Sequence, residues 1–217
     1  NARFYELSLQ DLVTGINGPI IYQIGTDGGL LDAPVAINPN LGQKLLLGPG
    51  ERADVVIDFT GAAPGQVWTL KNSGNTPFPK GAPPNGSTTG RIMQFVVNGQ
   101  GTDNSQLPAS LRAVPLVKLT NFAGLTNVTP TVKRQLTLNE VMGMGGPLEV
   151  LVNNTKWDAN GDTPGLGETE IAAEGTSEVW QIINLTADAH PIHLHLVQFQ
   201  LVSRQKFNLN KYLKVYT

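Results

Sequence analysis

A chain of 217 residues, 40% hydrophobic and 15% charged, is long enough to bury a core without disulfide staples and has the composition of a globular protein rather than a disordered one. Its 15 basic and 17 acidic residues leave a net charge of −2 with no basic stripe, which argues against nucleic acid as a partner. No apolar run approaches the roughly 20 residues that cross a bilayer, so no membrane partner is expected. There is no cysteine, which excludes disulfides, thiolate zinc sites and a cysteine nucleophile.

In chain order, the first hundred residues read as strands separated by turns. Tyr5, Leu7 and Leu9 alternate with Glu6 and Ser8, the period-two pattern of a half-buried strand. Residues 20–24 form a second strand, closed by Thr26-Asp27-Gly28-Gly29. Residues 44–47 and 52–59 flank the turn Gly48-Pro49-Gly50, with Val55, Ile57 and Phe59 expected on one face and Asp54 and Asp58 on the other. Residues 67–71 and 91–97 complete this set, and such spacing indicates a sandwich or Greek-key barrel.

From residue 98 to about 130 the pattern dissolves into Gly, Asn, Ser, Pro and Thr, with one helical turn expected at 107–111. Strand patterning resumes at 132–139 and 149–152, followed by an Asp- and Gly-rich loop at 158–167. Residues 178–184 and 193–202 read as the last strands. The expected fold is therefore all-β, with one complete sandwich at 1–100, a linker at 101–130 and part of a second sandwich at 131–217. Asn1 stands in a strand pattern already under way, and residues 214–217 show no closing turn. A truncated chain is expected, found with the remainder of its parent or self-associated, because a sheet stopped midway leaves unpaired backbone groups.

All three histidines fall within six residues, in His190-Pro191-Ile192-His193-Leu194-His195. On a strand, His193 and His195 project to one face and are able to serve one metal centre jointly. His190 precedes a proline, which keeps it out of the helical region and points it to a different site. Imidazole suits copper, zinc, iron and nickel, so ligand type alone does not choose. Residues 196–217 contain no Asp or Glu, which a cupin-like or two-His-one-carboxylate iron centre requires, and no HExxH helix motif is present. All-histidine ligation on a β scaffold fits copper better. The plain alternative is a set of histidines bonded to backbone groups.

The run His190–His195 resembles the HPxHLH motif of the multicopper oxidases. Residues 178–184 and 196–207 are most similar to the bacterial spore-coat laccase and bilirubin oxidase branch of that family. Asn1-Ala2-Arg3-Phe4-Tyr5, residues 23–30 and Pro49-Gly50-Glu51-Arg52-Ala53-Asp54 are similar to stretches of that branch's middle cupredoxin domain. The resemblance implies cupredoxin-like Greek-key sandwiches, with a copper-free second domain at 1–100 and the first part of the third from 131. It implies copper as cofactor, with His190 on the mononuclear blue (type 1) copper, His193 on the type 2 copper and His195 on the type 3 pair. The implied activity is laccase-type: one-electron oxidation of phenolic or similar reductants coupled to reduction of dioxygen to water, in a spore coat, periplasmic or extracellular setting. Two further HxH pairs, the blue-copper cysteine and a second blue-copper histidine are absent from these 217 residues. That leaves a competing expectation, a non-catalytic copper-binding or assembly fragment.

Other residues carry weaker signals. Glu51, Arg52 and Asp54 read as a hairpin ion pair on a solvated face rather than a catalytic acid, and Trp68, Trp157 and Trp180 as packing residues. Met142 and Met144 lie in a Gly-rich loop and read as filler, although thioethers bind copper(I). Asn85, Asn127, Asn153 and Asn184 each open a glycosylation sequon, a pattern common by chance.

Overall fold

Alternation of apolar and polar residues builds the first strand, β1 (Tyr5–Gln10), in which Leu7 and Leu9 are buried and Glu6 and Ser8 are not. A computed structural model describes residues 3–99, 101–121, 124–157 and 171–216 of the chain. The expected loop at 158–167 lies outside the described residues.

Strands β2 (Ile21–Thr26), β3 (Gly29–Ile37), β4 (Leu45–Leu47), β5 (Ala53–Ile57), β6 (Val67–Asn72) and β7 (Arg91–Val96) follow. They form two sheets, ordered β4-β1-β6-β7 and β3-β2-β5, with every pair antiparallel. Leu7 and Leu9 of β1, Ile21 of β2, Leu45 of β4 and Trp68 of β6 make one core, against which Ile37, Ile57, Phe59, Leu70 and Phe95 pack. Both sheets contribute, so this is a β-sandwich. Val55 alternates onto the same face as Ala53 and Ile57 but is 39% exposed on this edge strand, while those two pack on the core.

The sequence patterning missed β3. Asp32 and Pro34 interrupt its alternation, and proline cannot donate to a ladder. It forms because Asp27-Gly28 is a two-residue hairpin turn after β2, and because β3 is an edge strand that tolerates Pro34. The expected helical turn at 107–111 does not form. That stretch is instead stitched to β3: the Leu111 N–H donates to Asp32 O at 2.9 Å, the Leu116 N–H to Asp32 Oδ1 at 2.8 Å, and the Arg112 guanidinium to Leu30 O at 3.3 Å.

A second sheet unit contains β8 (Val132–Gly143), β9 (Gly146–Val152) and β10 (Glu178–Asn184), in the order β10-β8-β9. β8 and β9 are an antiparallel hairpin around Met144-Gly145, and β10 runs parallel to β8. Leu136, Leu138 and Ile183 are its buried apolar residues. Arg134 grips Glu178 with two hydrogen bonds, at 2.6 and 2.9 Å, and the Trp180 indole N–H donates to the same carboxylate at 2.7 Å. These charge-assisted bonds, led by Arg134, hold the Glu178 carboxyl down to about 2. A short helix, α1 (Leu209–Tyr216), starts at Asn208, whose side chain accepts from the Lys211 N–H at 2.9 Å.

The chain divides into two compact units. One comprises Asn1–Leu116 with Asp188–Gln198, the other Val117–Ala187 with Phe199–Thr217.

Candidate metal centre

The segment that carries the three histidines belongs to the first unit, not to the sheet whose strand β10 precedes it. Residues 193–202, expected as a strand, form none. A strand requires a neighbouring ladder, and none pairs with this stretch among the described residues; Leu196 adopts a φ of 73°, which breaks any extended run. His193 and His195 therefore do not stand side by side on a strand face, as their spacing predicts. His190 is half-buried and His195 exposed, and their placement follows from the path of a loop.

His193 is the best-defined of the three. Its Nδ1 lies 3.0 Å from Asp27 Oδ2 and its Nε2 2.8 Å from the Pro49 carbonyl oxygen. Both partners come from turns made in the first hundred residues. Asp27 sits in the two-residue turn between β2 and β3, and Pro49 in the Gly48-Pro49-Gly50 turn between β4 and β5. The latter turn is braced locally: the Gly48 N–H donates to Glu51 Oε2 at 2.6 Å, and Gly50 takes a φ of 79°, open to glycine at little cost. Arg52 braces the Asp27 side, its backbone N–H donating to Asp27 Oδ1 and its guanidinium lying 3.5 Å from Oδ2.

Partial desolvation pushes the Asp27 carboxyl up. The Arg52 N–H, the His193 ring and the Arg52 guanidinium outweigh it, and the group rests below the usual carboxylate range. The Pro49 carbonyl, followed by Asp27, raises His193 above its ordinary value, against a smaller opposing effect of burial. The chemistry agrees, since both partners are acceptors and only a ring with protons on both nitrogens donates to both.

Glycines make room for the segment. A Cβ on Gly50 would stand 2.9 Å from His193 Nε2, one on Gly48 3.0 Å from Pro191 Cβ, and one on Gly28 2.3 Å from Gln198 Cγ. None of these roles was legible locally. Asp27 and Pro49 were visible only as turn residues, and the Asp-Gly turn was the sole signal at Asp27.

Arg52 pairs with Asp27, Glu51 holds the turn, and Asp54 is an exposed residue of β5 facing Gly25 of β2. Trp68 is buried in the first core and Trp180 is bonded to Glu178, but Trp157 is 76% exposed and packs no core. Met142 and Met144 are exposed at the β8–β9 hairpin tip.

Imidazole is a donor that copper accepts, and three within six residues is suitable chemistry. The arrangement does not fit a complete copper site, however. Among the described residues no three His, Asp or Glu side chains are grouped to hold one ion, and both ring nitrogens of His193 are taken by protein oxygens.

Comparison with known proteins gives a consistent picture. Residues 129–215 match the family model described as multicopper oxidase. The chain is 37% identical to a laccase of Bacillus subtilis (strain 168) over 98% of its length, covering 36% of that protein. It is 32% identical to a multicopper oxidase of Arabidopsis thaliana over 94% of its length, covering 31% of that protein. A crystal structure of a multicopper oxidase from the hyperthermophile Aquifex aeolicus superposes with a TM-score of 0.63 at 24% identity, over 89% of this chain and 38% of that one, a likeness of fold. The chain thus spans about a third of the length of the curated relatives it matches.

Proposed function

The chain belongs to the multicopper oxidases, with their cupredoxin-like all-β fold, and from that premise we propose that it is part of a laccase-type oxidase. In this reading the whole protein oxidises phenolic or similar small reductants one electron at a time and reduces dioxygen to water. This chain contributes His190 toward a type 1 copper, and His193 and His195 toward a type 2 and type 3 cluster. The remaining ligands and any blue-copper thiolate come from sequence outside these 217 residues. The observation that carries the reading is the histidine run itself, which lies inside the matched span of residues 129–215.

What the chain's own residues do is hold that run. The turns around Asp27 and Pro49 seat His193, and Glu51 and Arg52 brace those turns. Copper, when bound, supplies the electron-transfer chemistry; the protein supplies position and exclusion of side reactions.

A second reading, a copper-binding or assembly fragment without oxidase activity, is favoured by the lack of cysteine and of a three-donor group among the described residues. Copper counting, the blue absorption band and oxygen uptake with a phenolic reductant separate the two. The 217-residue chain alone is expected to show no blue band and no oxygen uptake, and the longer parent protein to show both. Full oxygen uptake by a parent carrying His193→Ala would overturn the laccase reading, and four coppers with a blue band on this chain alone would overturn the claim that ligands lie elsewhere.

A further inference from the structure

Among the described residues the histidine segment joins no strand ladder, yet its central imidazole is held at both nitrogens by residues 144 and 166 positions away. We propose that Asp27 is a positioning residue for His193: with the Gly48-Pro49-Gly50 turn it forms a preformed seat that fixes the ring and, through it, the path of residues 188–198.

Three observations carry this. First, the Asp27 carboxylate is itself oriented. Its Oδ1 accepts from the Arg52 backbone N–H, which leaves Oδ2 for His193 Nδ1 at 3.0 Å. The Arg52 guanidinium, 3.5 Å from Oδ2, also donates to Gly50 O at 2.9 Å, so one arginine links both halves of the seat. Second, the three glycines whose Cβ positions would meet the segment, Gly28, Gly48 and Gly50, all lie in the two turns that present Asp27 and Pro49. Side chains there would collide with Gln198, Pro191 and His193 in turn, so the seat is shaped to the segment along its length and not at one residue. Third, residues 188–198 cluster with this unit and not with the strand that precedes them in sequence.

The seat distinguishes the two ring nitrogens. Nδ1 faces a charged carboxylate held from behind, whereas Nε2 faces a neutral carbonyl of a turn. Nε2 is therefore the nitrogen free to exchange its partner, and a carboxylate on the opposite nitrogen is the arrangement that orients a ligating imidazole. That last step rests on the laccase reading; the seat does not.

The test is a nitrogen-15 spectrum of the histidine rings in the metal-free 217-residue chain. His193, held at both ring nitrogens, is expected to show a single fixed ring environment, unlike His195. Asp27→Ala is expected to remove the Nδ1–H signal and average the ring, with the far-UV circular dichroism of the sheets unchanged. Should Asp27→Ala fail to fold, Gly50→Ala approaches the ring from the other side and is expected to shift the same His193 signals while leaving those of His195 in place. An averaged His193 ring in the wild type, or one unchanged in both variants, overturns the seat.

Copper(II) titration then reads the ligand step. Asp27→Ala is expected to bind about 10- to 100-fold more weakly, as loss of an orienting partner does. Equal binding by wild type and variant overturns the positioning role toward copper. Absence of binding in both, with the metal-free ring signature intact, supports the seat and counts against the copper reading instead.

Discussion

Replacing Asn72 by Ala strips three hydrogen bonds from one buried side chain at the end of β6. Asn72 is 3% exposed; its Oδ1 accepts from the Gly74 N–H at 2.8 Å and the Glu6 N–H at 3.1 Å, and its Nδ2 donates to Thr89 O at 3.1 Å. These bonds tie β1, the turn after β6 and the loop before β7 into one joint. A buried donor or acceptor left without a partner costs about 1–3 kcal/mol. The Gly74 N–H, in a buried bond, takes a middle value of about 2, and the Glu6 and Thr89 groups, nearer water, about 1 each. The expected loss is therefore about 4 kcal/mol, or a fall in Tm on the order of 8–16 °C for a chain of this size. Urea unfolding, analysed as midpoint times slope, measures it. A loss below about 1 kcal/mol for Asn72→Ala would refute the reasoning.

Two more expectations bear on stability. Leu9 is fully buried at the centre of the first core, so Leu9→Ala is expected to cost about 3 kcal/mol by urea titration, from lost transfer energy plus the cavity left behind. Glu178 is depressed to about 2 by Arg134 and Trp180. A depressed carboxyl stabilises the fold above its unfolded value, and that contribution disappears as pH falls from about 4.5 toward 2. The urea midpoint of the wild type should drop across that window, and Glu178→Gln should start lower at neutral pH and show a shallower acid slope.

The strands of both units were legible because alternation is local. Tyr5 to Leu9, residues 67–71 and residues 178–184 each carry their own buried face, and the observed strands β1, β6 and β10 differ from expectation by a residue or less at each end. β3 was not legible, because its edge position, which excuses Pro34, is a property of the sheet and not of the segment. Helix α1 was missed although Asn208 marks its start. The spacing of the histidine run suggested metal ligation, but the strand face on which His193 and His195 were expected to stand together does not form. A loop without a ladder takes its course from what it touches, and here the contacts are Asp27, Pro49 and three turn glycines far back in the chain. Residue identity and period were enough to name most of the strands. Only the tertiary structure decided where His193 rests and that Asp27 holds it, because contacts across 166 residues leave no local period to read.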